Sequence, residues 1–127
     1  DILRRFRVRH GRVTDPASML SGGNQQKLVF GREISKRPRL LVAAQPTRGV
    51  DLRGISELQQ ELVQARDNGT AIVLVSQELD ELLALSDRVL VMFHGKPAGI
   101  FDPAEPDARA RIGRAMLGQR SGTEVSS

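Results

Sequence analysis

Ser21, Gly22 and Gly23 carry the most chemical content in this chain, inside the run Leu20 Ser21 Gly22 Gly23 Asn24 Gln25 Gln26 Lys27. A small hydroxyl residue and two glycines at a helix start let backbone N–H groups approach a phosphate closely, and the helix dipole favours its negative charge. Ser-Gly-Gly alone is a weak signal. Here it is followed by a helical stretch, an apolar strand from Leu40 to Ala43 and a turn, Gln45 Pro46 Thr47 Arg48 Gly49 Val50 Asp51, and this order makes the pattern specific.

The elements that must hold these residues follow from periodicity and caps. Ser21 is the expected N-cap of a helix running to about Ser35, with Leu28, Val29, Phe30 and Ile34 as its apolar positions and Lys36, Arg37 and Pro38 closing it. Arg39 to Ala43 is a nearly continuous apolar run, as expected of a central parallel strand covered on both faces. Asp51 caps the next helix, where Ile55, Leu58, Leu62 and Ala65 recur at helical spacing until Asn68 Gly69 supplies a left-handed stop. Ala71 to Val75 is a second buried strand. Glu78, Asp80 and Glu81 crowd the first turn of another helix, which suits capping better than catalysis. Arg88 to Phe93 and Pro97 to Phe101 flank His94 Gly95 Lys96 as a β-hairpin, and a last helix covers Asp107 to Leu117 ahead of a small, polar tail from Ser121 to Ser127 that is expected to be disordered.

Composition narrows the function classes. The 127 residues suit one domain, and 39% hydrophobic residues allow a core, although four Phe are its only aromatics. No apolar run approaches the roughly 20 residues of a spanning helix. Cysteine is absent and the two histidines are far apart, which excludes disulfides, thiolate chemistry and a transition-metal cluster. The net charge of +4 is concentrated at the start, where Arg4, Arg5, Arg7, Arg9 and Arg12 face only Asp1. No aromatics interleave with these arginines to stack bases, so a solvated segment is favoured over a nucleic-acid surface.

The run at Leu20 to Lys27, the strand and the turn together resemble the signature motif, Walker B strand and D-loop of ABC transporter ATPases. Asn24 Gln25 Gln26 Lys27 and Pro46 Thr47 Arg48 Gly49 sharpen the likeness to the second ATPase domain of the tandem subunits in bacterial simple-sugar and nucleoside importers, over about Phe6 to Gly99. No Gly-x-x-x-x-Gly-Lys-Ser/Thr loop is present, and Gly95 Lys96 lacks its context, with Leu90 at the first glycine position and Pro97 following. The resemblance therefore implies an α/β fold: a partial parallel sheet with flanking helices, the C-terminal half of a P-loop NTPase-like ABC ATPase domain, plus a C-terminal hairpin. It divides the chain into a remnant of the helical subdomain (1–20), the core with signature, degenerate Walker B, D-loop and switch region (21–101), and a terminal helix and tail (102–127). A half-sheet leaves an uncovered face and open edges, so the fragment is expected to be marginal or to self-associate.

In this family the Walker B strand ends in an aspartate that holds the Mg²⁺ shell and a glutamate that polarises the attacking water. The matching residues here are Ala44 and Gln45. Alanine gives a hard cation no oxygen, and an amide cannot take a proton from water, so general-base assistance of about 10²–10⁴-fold should be lost. Ser76 is followed by Gln77 where many members carry a histidine switch. The domain's own site thus reads as degenerate, with no intact catalytic residue and no metal ligand. Its signature residues Ser21, Gly22, Gly23, Asn24 and Gln25 are implied to close over ATP at a partner site, with the D-loop residues Arg48, Gly49, Val50 and Asp51 at the interface.

The resemblance implies ATP and Mg²⁺ for the full-length assembly and neither for the fragment alone. It implies as partners the N-terminal ATPase domain of the same polypeptide, transmembrane permease subunits and, indirectly, a solute-binding protein, at the cytoplasmic face of the cell membrane. Two other classes stay open. Chromosome-maintenance and DNA-repair ATPases carry a Leu-Ser-Gly-Gly motif before a Walker B strand, although no heptad segment appears here. A non-hydrolysing regulatory interaction module is the other.

Overall fold

The computed structural model describes residues 1–119; the tail expected from Ser121 to Ser127 lies outside them. The chain forms two compact units, residues 1–75 and a second beginning at Ser76.

The first unit contains α1 (Ile2–Arg5), a 3₁₀ turn (Ala17–Met19), α2 (Gly22–Ser35), β1 (Leu40–Ala44), α3 (Leu52–Asp67) and β2 (Ala71–Val75). β1 and β2 pair in parallel, with Leu40 opposite Ala71 and Ala44 opposite Val75. This is the expected βαβ order, α3 forming the crossover that parallel strands require. α1 packs on α2, α2 on α3 and α3 on β2. Phe6, Phe30, Ile34, Leu41, Ala43, Leu58 and Leu62 are buried here. Phe6 and Phe30 meet edge to face at 5.9 Å between ring centres. Gly31 makes room for this contact, since a Cβ there would lie 2.5 Å from the Phe6 ring.

The strands differ from expectation in one respect. Leu41 and Ala43 point inward, whereas Leu40 and Val42 are 58% and 61% exposed, and Val73 and Val75 of β2 are about half exposed. The apolar run reflects a strand with two faces that suit burial, and the first unit covers only one of them.

The second unit contains α4 (Leu79–Leu85), β3 (Val89–Phe93), β4 (Lys96–Phe101) and α5 (Ala108–Met116). β3 and β4 form the expected antiparallel hairpin, but its turn is shorter: only His94 and Gly95, both with positive φ, separate the paired Phe93 and Lys96. Two left-handed residues match the twist of a two-residue hairpin. The hairpin, α5 and one side of α4 enclose Val89, Val91, Phe101, Ala108, Ile112 and Ala115. In α4, Glu81 is buried, and neither carboxyl oxygen has a hydrogen-bond partner among the described residues. Glu81 is therefore not the solvated first-turn carboxylate that capping requires, although Asp80 is exposed and ion-paired to Arg109.

Candidate functional site

The glycine run folds as a helix start. Ser21 is the N-cap of α2 by position, with extended backbone, yet its side chain makes no capping bond to a helix N–H. Its hydroxyl instead accepts a hydrogen bond from Asn24 Nδ2 at 2.8 Å, while Asn24 Oδ1 accepts one from the Arg9 N–H at 2.9 Å. Gln25 Nε2 donates to the Leu20 carbonyl at 2.9 Å. Asn24 and Gln25 thus use their amides to fix the segment around Ser21. The first intrahelical bond runs from the Gln25 N–H to the Ser21 carbonyl, so the N–H groups of Gly22, Gly23 and Asn24 precede it.

The two glycines have different surroundings. A Cβ on Gly22 would meet nothing within 4 Å, whereas one on Gly23 would lie 2.7 Å from the Gly49 carbonyl oxygen. Gly22 leaves open space at the helix start, and Gly23 lets the turn after β1 pack against it. A cleft of about 640 Å³ opens beside this helix start, lined by Arg9, His10, Arg12, Ser21, Asn24 and Leu28 among others.

At the end of β1, Ala44 is exposed and Gln45 half-buried. Gln45 has φ +49°, a left-handed conformation uncommon outside glycine, and its N–H donates to the Val75 carbonyl at 2.7 Å. Ala44 brings no oxygen and Gln45 only an amide. Neither side chain offers a hard cation a carboxylate.

The turn then runs through buried Pro46 and Thr47, exposed Arg48 and Gly49 (φ +73°), and half-buried Val50 to Asp51. Asp51 caps α3 as expected: its carboxylate accepts from the Gly54 N–H at 2.8 Å. That bond holds the carboxyl below its ordinary value of 3.8, and the charges of Lys27 and Arg9 act in the same direction. Gln77 is exposed in the second unit, where the Ser76 hydroxyl accepts from the Glu78 N–H at 3.0 Å.

Two features have no signal in the spacing of the run. Gln26 reaches the carbonyls of Gln45 and Pro46 with its amide, at 3.3 and 3.0 Å. Lys27 is buried, with its Nζ 3.9 Å from Glu57. Glu57 also pairs with Arg7 at 2.7 Å, and Glu61 with Arg5 at 2.5 Å, so part of the N-terminal arginine cluster is neutralised by α3.

No protein-family model matches the chain. Among curated proteins it is 43% identical over 118 residues to the nucleoside import ATP-binding protein NupA of Lactococcus lactis, a match covering 93% of this chain and 23% of that one. It is 48% identical over 115 residues to the glucose import ATP-binding protein of Haloferax volcanii, covering 90% and 21%. The ribose import ATP-binding protein of Chromobacterium violaceum is 46% identical over 103 residues, covering 81% and 20%. Among solved structures, an ATP-binding subunit of an ABC transporter superposes with a TM-score of 0.73 at 21% identity, covering 96% of this chain and 48% of that one. By sequence and fold, this chain belongs with the ABC ATPases. It spans about a fifth of the length of these curated relatives. A Clostridium perfringens subunit of another ABC transporter complex, at 26% identity, superposes with a TM-score of 0.60. The α/β expectation and the family expectation both hold.

Proposed function

We propose that this chain is the signature-bearing half of an ATPase domain in the ATP-binding subunit of an importer for simple sugars or nucleosides. The observation that carries the reading is the open start of α2: an exposed Ser21 hydroxyl, N–H groups of Gly22 and Gly23 ahead of the first helical bond, and free space over Gly22. These donors fit an anionic phosphate oxygen. ATP, when bound there, supplies the phosphoryl group for transfer to water. Ser21, Gly22 and Gly23 hold and orient its oxygens, and the Asn24 amide fixes the Ser21 hydroxyl.

The strand end is a poor hydrolytic site by the same reasoning. Ala44 offers no ligand, and Gln45 can orient water but cannot accept its proton. The productive site is then the opposite one, whose Walker A loop belongs to a partner domain of the same polypeptide, at the cytoplasmic face of the membrane beside a permease. Asp51 both caps α3 and stands in the D-loop at that domain interface with Arg48, Gly49 and Val50. The names of the similar proteins support import of a sugar or nucleoside. The pairing of Arg5 and Arg7 with α3 glutamates weighs against a DNA-binding role for the basic segment.

The test is Ser21→Ala in the full-length subunit with its permease. Losing one oriented donor at a reacting phosphate should lower ATP turnover by about 10²–10³-fold, by analogy with oxyanion donors. Thermal unfolding should change little, because Ser21 makes no side-chain capping bond. Parental turnover in a folded variant would overturn the cross-domain role and put the regulatory-module reading first.

A further inference from the structure

The strand end and the glycine run are joined by one side chain. Gln26 Nε2 carries two hydrogens and faces two carbonyl oxygens, those of Gln45 at 3.3 Å and Pro46 at 3.0 Å, in a part-buried setting. Gln45 is itself held at three points: its N–H donates to Val75, and its carbonyl accepts from the Arg48 N–H at 3.2 Å as well as from Gln26. A left-handed, non-glycine residue costs conformational energy and persists only where its surroundings over-determine it. Gln26 is one of those surroundings, and it stands one helical turn from Gly22 and Gly23. The Gly49 carbonyl, seated against Gly23, closes the same connection from the far side of the turn.

We infer that Gln26 is a positioning residue. It ties the backbone at the degenerate strand end, Gln45 and Pro46, to the helix start that presents Ser21, Gly22 and Gly23, so that a displacement at the first is passed to the second. This rests on the proposed role of Ser21 to Gly23 at a partner's ATP. The chemistry requires a donor at this position. Two carbonyl oxygens repel a carboxylate of the same size, whereas an ammonium group can serve both.

The experiment compares Gln26→Glu, Gln26→Lys and Ser21→Ala in the full-length subunit with its permease, reading kcat and KM for ATP. Amide exchange at Arg48 is followed in parallel. The Glu variant should lose about tenfold in kcat, the equivalent of one hydrogen bond, with KM little changed and Arg48 exchanging faster. The Lys variant should recover most of both. Equal losses in the Glu and Lys variants would mean that packing, not donation, matters, and would overturn the inference. So would parental kcat for Gln26→Glu alongside a large loss for Ser21→Ala. Parental kcat for Ser21→Ala would instead overturn the reading of the glycine run, and this inference with it.

Discussion

Ala44 and Gln45 differ from their expected counterparts by two carboxylates, and their geometry says what restoring them would do. Ala44 is exposed at the end of β1 and Gln45 is already held in a left-handed turn by Val75 and Gln26, so new side chains enter a set backbone. Ala44→Asp with Gln45→Glu in the full-length subunit is expected to raise single-turnover hydrolysis at this site. Gln45→Glu alone should recover much less, since a base without a held metal lacks its charge-stabilising partner. Equal rates for the parent and the double variant, with nucleotide at both sites, would refute this account. Asp51 acts on stability instead. Its folded-state value is depressed below 3.8, chiefly by the Gly54 N–H, so its contribution is present above that value and lost as pH falls through the lower folded one. Asp51→Ala should therefore lower the thermal midpoint at neutral pH, and the gap from the parent should close on acidification below 3.8. A gap that persists unchanged into strong acid would exclude the cap as its cause.

At the scale of elements, Gly22 and Gly23 separate two demands placed on the start of α2. Gly23→Ala would drive a methyl into the Gly49 carbonyl, which as backbone cannot rotate away, and is expected to destabilise the chain by about 1–3 kcal/mol. Gly22→Ala meets no atom and should leave chemical unfolding near parental while slowing turnover in the assembly. Similar unfolding midpoints for the two variants would contradict the packing described. Most elements are legible because they carry local signals: Asp51 before α3, Gly69 after it, Pro38 past α2, and two largely apolar runs flanking His94 and Gly95. What was not legible is tertiary. The Ser21 hydroxyl turns to Asn24 because Arg9, distant in sequence, positions that amide. Gln26 finds its acceptors across a turn nineteen and twenty residues away. Burial of Glu81 has no local signal either, since its position in an acidic first turn suggests a solvated carboxylate.

For the whole molecule, the exposed face of β1 and β2 is the dominant physical fact. Leu40, Val42, Val73 and Val75 form an apolar strip with Val42 directly opposite Val73, and β1 and β2 have no third strand in the described sheet. The isolated chain is expected to self-associate at micromolar concentrations, and Val42→Lys or Val73→Lys should shift it toward monomer in sedimentation velocity while leaving circular dichroism unchanged. A parent chain that stays monomeric across that range would refute this.

The two-residue turn at His94 and Gly95 also bears on the order in which the chain acquires structure. Hairpins with so short a connection close in about 1–10 μs, because little loop entropy stands in the way. β1 and β2 must instead wait for the whole of α3 to be accommodated before their first ladder bond forms, and parallel pairing of this kind is slow. Among the strands, β1 emerges first during synthesis and the hairpin last. Of the strands, β1 thus waits longest for its partner, and the pairing that closes fastest is not its own.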